Sequence, residues 1–279
     1  MALSYTEVWN ETVRILRANA ALFTAVAGAF LFLPALVMGY ALPPPARVTA
    51  ETLSAYYERN LVWFILELTI SFIGTLALLV LALDESRPTV GGALRTALSL
   101  VGRYFTVSML TFLMLIAAFI PASLWLGAMV SSQQLGAGFL GALVLMLPGF
   151  YALARLMLSG PIVVAERSLR AFAVLKRSLA LTRGKGWQIM GLLLLVAVPF
   201  AIATLAATAV FGTLFLLLDT AAGGEGVGAF LLLVLTTAIA TLFNLVLYVL
   251  LAALYRALYS PAPSPAQAPP AGTDGTSGT

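Results

Sequence analysis

Long apolar runs alternate with short polar segments along most of the chain. Six of these runs reach the length of roughly 20 residues that a helix needs to cross a bilayer. They cover residues 20–42, 61–83, 104–126, 139–164, 187–218 and 228–257. The pattern predicts an all-α, polytopic membrane protein with six transmembrane helices.

Three amphipathic segments precede the first, third and fifth of these runs. The first covers residues 4–19, where Ser4 and Glu7 have the spacing of a helix capping box, and the second is a short helix over 90–103. The third lies within 161–187 and has an apolar stripe at helical spacing, formed by Leu169, Phe172, Leu175 and Leu179. We predict three interfacial amphipathic helices on the cytoplasmic face, the third with its stripe toward the acyl chains.

The three amphipathic segments recur at one spacing. Arg14, Arg95 and Lys176 follow one another at intervals of 81 residues, and Glu85 and Glu166 are also 81 residues apart. Each following span carries a proline near its middle, namely Pro34, Pro121 and Pro199. We therefore predict three repeats of interfacial helix, span, outside loop and span, over residues 4–83, 84–164 and 165–258.

Polar or proline-rich stretches separate the spans. Three consecutive prolines at 43–45 end the first span, and we expect the polar segment 46–60 to form a loop. The fourth span is expected to break near Pro161. The tail, 261–279, is mostly Pro, Ala, Gly, Ser and Thr and is predicted to be disordered, so that residues 1–260 form the membrane domain.

Composition supports a location in the membrane. Apolar residues make up 61% of the chain and charged residues only 9%, whereas a soluble domain has about 25% charged residues. The net charge of +4 comes from basic residues near the ends of the apolar runs. Because they do not gather on a soluble face, binding of nucleic acid is not expected.

The positions of Lys and Arg orient the spans. The N-terminal segment, the second loop, the fourth span with its following loop, and the C-terminal end hold two, three, seven and one of the fifteen basic residues. The opposite side holds only Arg47 and Arg59. Because basic residues accumulate on the cytoplasmic side of a membrane, this asymmetry predicts that both termini are cytoplasmic.

Cysteine and histidine are absent from the sequence. Their absence excludes disulfides, thiolate and imidazole metal sites, and acid–base chemistry that depends on histidine. We therefore expect no metal ion and no cofactor, and we expect that these spans do not form an enzyme.

Three segments carry a resemblance to a known family. They are ALARLMLSGPIVVAE at 152–166, AVLKRSLALTRGKGW at 173–187 and LYVLLAALYRAL at 247–258. In these segments the chain resembles the membrane domain of bacterial glycerophosphoryl diester phosphodiesterases and related stand-alone six-span inner-membrane proteins. The resemblance covers most of residues 1–260 and implies a six-span helical domain in the bacterial inner membrane. It also implies that phosphodiesterase activity belongs to a separate soluble barrel domain, so that activity is not expected of these spans.

Two charged side chains lie well inside the predicted spans, away from the ends of their apolar runs. Because an ionised group in hydrocarbon is costly, Glu67 and Arg155 are candidates for a functional site. Their depths differ by roughly 10 Å at 1.5 Å per residue, which disfavours a direct ion pair. The alternative is that neighbouring polar side chains satisfy each charge, with Asn244 expected at the depth of Arg155.

Six basic residues cluster around the third amphipathic segment, namely Arg167, Arg170, Lys176, Arg177, Arg183 and Lys185. A basic residue near an anionic membrane surface contributes about 1 kcal/mol of attraction, so these residues are candidate contacts for anionic phospholipid. The alternative is that the same charges only orient the protein.

Two functions are compatible with these features. The first is a non-enzymatic inner-membrane module in envelope or lipid homeostasis, with membrane lipids as its partners. The second is a small permease whose route uses Glu67 and Arg155. A polar cavity around Glu67 favours the permease, whereas a solid bundle favours the module.

Overall fold

The computed structural model describes residues 4–45, 47, 49–84, 89–131, 135–221 and 226–259. Within these ranges every regular element is helical, and six helices are long and apolar enough to cross a membrane. The α-helices are α1 (Tyr5–Ala18), α2 (Ala20–Ala27), α3 (Leu33–Ala41), α4 (Ala50–Leu83), α5 (Val90–Ser131), α6 (Leu135–Leu156), α7 (Ser159–Ala165), α8 (Ala171–Leu181), α9 (Gly186–Ala221) and α10 (Val227–Tyr259). The prediction of an all-α protein with six candidate spans is confirmed. Glu85 of the predicted repeat and the predicted disordered tail, 261–279, lie outside the described residues.

Helix α1 is the first predicted amphipathic helix, and it packs against α10. The Ser4 side chain caps it by accepting a hydrogen bond from the backbone N–H of Glu7 at 3.4 Å, as the capping-box spacing predicts. The buried face of α1 consists of Val8, Thr12 and Ile15. The helix ends where Asn19 leaves the helical conformation, with φ −139° and ψ 33°.

The first span is interrupted where its proline predicts. Helix α2 continues into a π-helical turn, Gly28–Phe32, and α3 follows with Pro34 in its first turn. Pro34 has no N–H to donate to the carbonyl four residues earlier, and the wider turn before it accommodates that loss. The π-helical turn packs closely on α4, because a Cβ added to Gly74 would lie 2.5 Å from the Cβ of Phe30.

Gly74→Ala is expected to lower the free energy of unfolding by about 1–3 kcal/mol, because the added methyl group overpacks this contact. Gly102→Ala in α5 is the matched control. A Cβ at Gly102 would meet no atom within 4 Å, so replacing this helical glycine should stabilise the protein by up to about 1 kcal/mol. Thermal unfolding in detergent measures both changes, and a Gly74→Ala variant that is as stable as the unsubstituted protein, or more stable, would contradict the close packing at Gly74.

The prediction of a loop over 46–60 is wrong for most of its length, because α4 begins at Ala50. The Thr49 hydroxyl accepts from the backbone N–H of Thr52 at 3.2 Å, and the N–H of Thr49 donates to the Thr52 hydroxyl at 2.9 Å. This reciprocal cap starts the helix about three turns before the apolar run. The second span is therefore the end of a longer helix.

The prediction of a separate second amphipathic helix is also wrong. Helix α5 runs without a break from Val90 to Ser131, so residues 90–103 are the first turns of the third span. The sequence VGRY at 101–104 contains no proline, and Gly102 does not take the left-handed conformation of a helix C-cap, so the helix continues through it. In the other two predicted repeats the amphipathic helix is separate from its span. The threefold repeat stays a prediction.

The fourth span is discontinuous, as its Ser-Gly-Pro sequence predicts. Helix α6 ends at Leu156, and α7 begins at Ser159 after a turn of two residues. Helix α8 then packs against α5, α6 and α7 before α9 begins. Leu175 of α8 is only 3% exposed, so the prediction that it faces the acyl chains is wrong, whereas Phe172 is 62% exposed. Helix α8 therefore uses part of its apolar stripe to contact the rest of the protein.

The buried core is concentrated at one end of the bundle. Most buried apolar side chains lie in the second half of α4, the second half of α10, α7, and the first turns of α5 and α9. Farther along α5, α6 and α9, many large apolar side chains are exposed. Such side chains provide the apolar surface that a membrane span presents to lipid.

Candidate functional site

Hydrogen bonds join three helices at one end of the bundle. Arg256 in the last turn of α10 donates to a carboxylate oxygen of Glu11 at 3.2 Å. It also donates to the carbonyls of Ala82 and Leu83 at 2.9 and 3.2 Å. The hydrogen bond from Arg14 lowers the pKa of Glu11 against the opposing effect of partial burial, and the charges of Arg14 and Arg256 lower it further. We call this end, where α1 meets the ends of α4 and α10, the basic end.

Basic residues of the second loop and of the segment that follows the fourth span also lie at this end, where Arg103 and Glu166 make the connecting hydrogen bonds. The Glu166 carboxylate accepts from Arg177 at 3.2 Å and from the Tyr255 hydroxyl at 3.3 Å, which connects α8 to α10. Arg103 of α5 donates to the carbonyl of Val163 in α7 and to the carbonyl of Arg167 in the turn after α7. Residues from all four basic segments of the sequence therefore lie together.

A polar cavity of about 290 Å³ lies between α3, α4, α5 and α10. Two helices supply most of its polar side chains, which are Glu67, Ser71 and Thr75 from α4 and Thr237, Thr241 and Asn244 from α10. Spacings of three and four residues place each set on one face of its helix. We call this space the Glu67 cavity.

Glu67 is the only charged side chain in the lining of this cavity among the residues that the structure describes. It lies 16 residues before Leu83, which is about 24 Å along α4 from the basic end. Asn244 donates to the carbonyl of Ala240 at 2.9 Å, which leaves its amide oxygen as an acceptor. The cavity thus combines one carboxylate with neutral oxygen atoms inside the membrane-spanning segments. The described part of the chain contains no group of three or more Asp or Glu side chains that could hold a metal ion.

Arg155 lies away from the Glu67 cavity. Its Nε donates to the Thr182 hydroxyl at 3.1 Å, its guanidinium also donates to the carbonyl of Leu179, and its own carbonyl accepts from Ser178 at 2.6 Å. These bonds join α6 to α8 and its following turn. None of the ion pairs among the described residues connects Glu67 to Arg155. Asn244, named as a possible neighbour of Arg155, lines the Glu67 cavity, and its depth relative to Arg155 stays a prediction.

The six basic residues named as candidate lipid contacts lie on α8 and the turns beside it. Arg167, Arg170, Lys176 and Arg183 are exposed, and Arg177 pairs with Glu166. The Nζ of Lys176 lies 5.4 Å from the ring centre of the exposed Phe172, a combination of cation and aromatic ring that suits a membrane interface. We call this set the basic surface: Arg167, Arg170, Lys176, Arg177, Arg183 and Lys185.

Two tyrosines of the cavity were missed by reasoning from the sequence. Tyr104 and Tyr248 both line the Glu67 cavity. A tyrosine near the end of an apolar run is usually placed at the membrane interface, which obscures such a position. The signal that finds Tyr248 is the stripe of polar residues at three- and four-residue spacing along α10: Thr237, Thr241, Asn244 and Tyr248.

A comparison with protein families identifies the second half of the chain. The family described as the membrane domain of glycerophosphoryl diester phosphodiesterase matches residues 130–272, which is 143 of the 279 residues. The match contains α6 to α10, the basic surface and Asn244, whereas Glu67 precedes it. No curated protein and no solved structure matches the sequence. The chain belongs to the family of glycerophosphoryl diester phosphodiesterase membrane domains.

Proposed function

We propose that the protein is a small permease that admits a small cation through the Glu67 cavity. The observation that carries this proposal is one carboxylate surrounded by hydroxyl and amide oxygens within the spans. An acid is costly at this depth, and a polar cavity around it favours a role in binding over a role in packing. Arg155, which bonds to α8, has no part in the proposed route.

The charge of the cavity selects the class of solute. A small cation with one positive charge neutralises the Glu67 carboxylate and is bound by the neighbouring oxygens. An anion is repelled, and a neutral solute leaves the carboxylate without a counter-charge in a medium of low dielectric constant. The expected solutes are therefore a proton, an alkali cation or a small organic ammonium ion.

Flux measurements on the reconstituted chain of 279 residues test the proposal. Gradients of H⁺, Na⁺, K⁺ and methylammonium serve as probes, and at least one should dissipate faster than in protein-free vesicles. Glu67→Gln is expected to abolish that flux, whereas Glu58→Gln, an exposed acid of α4 outside the cavity, is the matched control and should retain it. The proposal fails if no probe permeates or if Glu67→Gln leaves the flux unchanged.

The basic surface favours a second function, which is contact with anionic phospholipid. We propose that the protein lies in the inner membrane with both termini cytoplasmic, so that this surface meets the anionic lipids of the cytoplasmic leaflet. Four of its side chains are exposed and an exposed phenylalanine lies beside them, which supports the proposal. If binding of anionic lipid regulates the activity of the protein, its role is a non-enzymatic one in envelope or lipid homeostasis.

Replacing Arg170, Lys176 and Arg183 together by Gln is expected to reduce co-purified anionic lipid and the salt dependence of its binding. This variant keeps Arg177 and its pair with Glu166, so folding at α8 is preserved. Replacing Arg47 and Arg59 by Gln is the control for loss of charge on the opposite side. Unchanged lipid content in the triple variant, with unchanged topology, means that these residues only orient the protein.

A further inference from the structure

A second cavity, of about 310 Å³, adjoins the Glu67 cavity. It lies between α4, α5, α10 and the break in the fourth span, and we call it the Ser159 cavity after a residue of its lining. Tyr104 and Tyr248 are the two residues common to the linings of both cavities. Their side chains therefore form the wall that the cavities share.

The two cavities are offset from one another along α4 and α10. Leu79 of α4 and Leu251 of α10 line the Ser159 cavity, and they lie 12 and 7 residues nearer the basic end than Glu67 and Asn244. At 1.5 Å per residue these offsets are about 18 and about 10 Å. On α4 and α10 the Ser159 cavity is therefore the next space toward the basic end, whereas on α5 its lining runs from Tyr104 to Leu115, away from that end.

The break in the fourth span supplies neutral oxygen atoms to the Ser159 cavity. Pro161 has no N–H, so the carbonyl of Met157, four residues earlier, receives no helical hydrogen bond. The hydroxyl of Thr111, another lining residue, is buried and has no hydrogen-bond partner among the described residues. Ser108 also contributes a hydroxyl, and the part of the lining that the structure describes contains no charged side chain.

The shared wall is packed between α4 and α7. The ring of Tyr104 meets the ring of Phe72 edge to face, with centroids 5.0 Å apart. A Cβ added to Gly160 of α7 would lie 3.7 Å from the Cε2 atom of Tyr104 and 3.2 Å from the side chain of Leu79. Gly160 therefore lets α7 pack closely on Leu79, and the same position lies within ordinary van der Waals distance of the Tyr104 ring, so α7 adjoins the wall.

We propose that Tyr104 and Tyr248 form the barrier of one continuous route from the Glu67 cavity through the Ser159 cavity to the basic end. This inference rests on the proposed permease and assigns its gate. Displacement of either ring joins the two cavities. Beyond the barrier the cation meets carbonyl and hydroxyl oxygens, as at the broken helices of transporters, and the lack of a second carboxylate lets it leave.

The absence of cysteine makes the route testable by thiol accessibility. Ser159→Cys places a reporter in the Ser159 cavity of the whole 279-residue chain, in sealed vesicles with the basic end inside. The membrane-impermeant cation trimethylammonium-ethyl methanethiosulfonate is added outside, and slow reaction is expected while both tyrosines are present. Tyr248→Ala and Tyr104→Ala should each raise the rate of thiol modification roughly tenfold or more, because the reagent can then enter the Ser159 cavity without displacement of a buried ring.

Phe243→Ala is the matched control, because it removes a ring of α10 that packs on Phe200 and belongs to neither lining. It should leave the rate of modification at Ser159→Cys unchanged.

A second reporter, Ser71→Cys in the Glu67 cavity, distinguishes failure of the permease proposal from failure of the barrier. If Ser71→Cys does not react, the permease proposal fails and the barrier fails with it. If Ser71→Cys reacts but neither tyrosine variant accelerates the reaction of Ser159→Cys, only the barrier is overturned.

Discussion

Glu67→Gln is expected to reduce the preference of the Glu67 cavity for cationic over anionic reagents by roughly tenfold. Two unit charges about 8 Å apart, at an effective dielectric constant of about 20, interact by about 2 kcal/mol. Because attraction of the cation and repulsion of the anion both contribute, the ratio changes by about 4 kcal/mol without salt, and screening lowers this to an effect of roughly tenfold. Thr241→Cys, on the α10 side of the cavity, is the reporter. Its reaction rates with trimethylammonium-ethyl and sulfonatoethyl methanethiosulfonate are compared with and without the Glu67 carboxylate.

The same pair of reagents distinguishes this effect from a change in folding. Glu58→Gln removes an exposed acid from α4 and should leave the preference unchanged. Glu67→Leu should leave insertion intact because the span becomes more apolar. If the preference for cationic over anionic reagents is unchanged in Glu67→Gln, the Glu67 carboxylate does not determine the electrostatic potential in the cavity. Loss of protein from the membrane in Glu67→Leu would identify Glu67 as a structural partner instead.

Arg155→Leu is expected to lower the free energy of unfolding by about 2–4 kcal/mol. Its side chain donates to Thr182 and to the carbonyl of Leu179, and a hydrogen bond to a charged group contributes about 1.5–3 kcal/mol. Removing the guanidinium also leaves part-buried acceptors on α8 unpaired. Thermal unfolding of the purified protein in detergent measures the loss, and Arg155→Lys should recover part of it.

Arg170→Leu is the control for Arg155→Leu, because Arg170 is exposed and its replacement should change the free energy of unfolding by no more than about 0.5 kcal/mol. A stable Arg155→Leu variant that loses cation flux would contradict the structural role. Arg155 would then belong to the solute route, as the permease hypothesis drawn from the sequence alone supposed.

Features set by local chemistry were predictable from the sequence. The six spans follow from apolar length, the interruption of the first span follows from Pro34, and the break in the fourth follows from Pro161. Each of these signals acts on residues within one or two helical turns. The start of α4 was missed because the pair of threonines at 49 and 52 that caps it lies in a segment rich in polar residues.

The candidate site was only partly predictable, because it depends on which helices meet. Glu67 stands out in the sequence, since a charge in an apolar run is rare. Serine, threonine and tyrosine are common in such runs, so Ser71 or Tyr248 alone carries little information. Their convergence requires the packing of α4 against α10 and α5, which hydrophobic periodicity does not specify. For the same reason the sequence grouped Arg155 with Glu67, whereas tertiary contacts assign it to α8.

We propose that the Glu67 cavity lies within the spans and opens to water on the side away from the basic end. Reaction of Ser71→Cys with an externally added, membrane-impermeant thiol reagent, in vesicles with the basic end inside, tests it most directly. The matched control is Leu205→Cys on α9, an apolar position that is 71% exposed on a membrane span. We expect Ser71→Cys to react and Leu205→Cys to remain unmodified. A Ser71→Cys variant that inserts normally but reacts no faster than Leu205→Cys would contradict the claim.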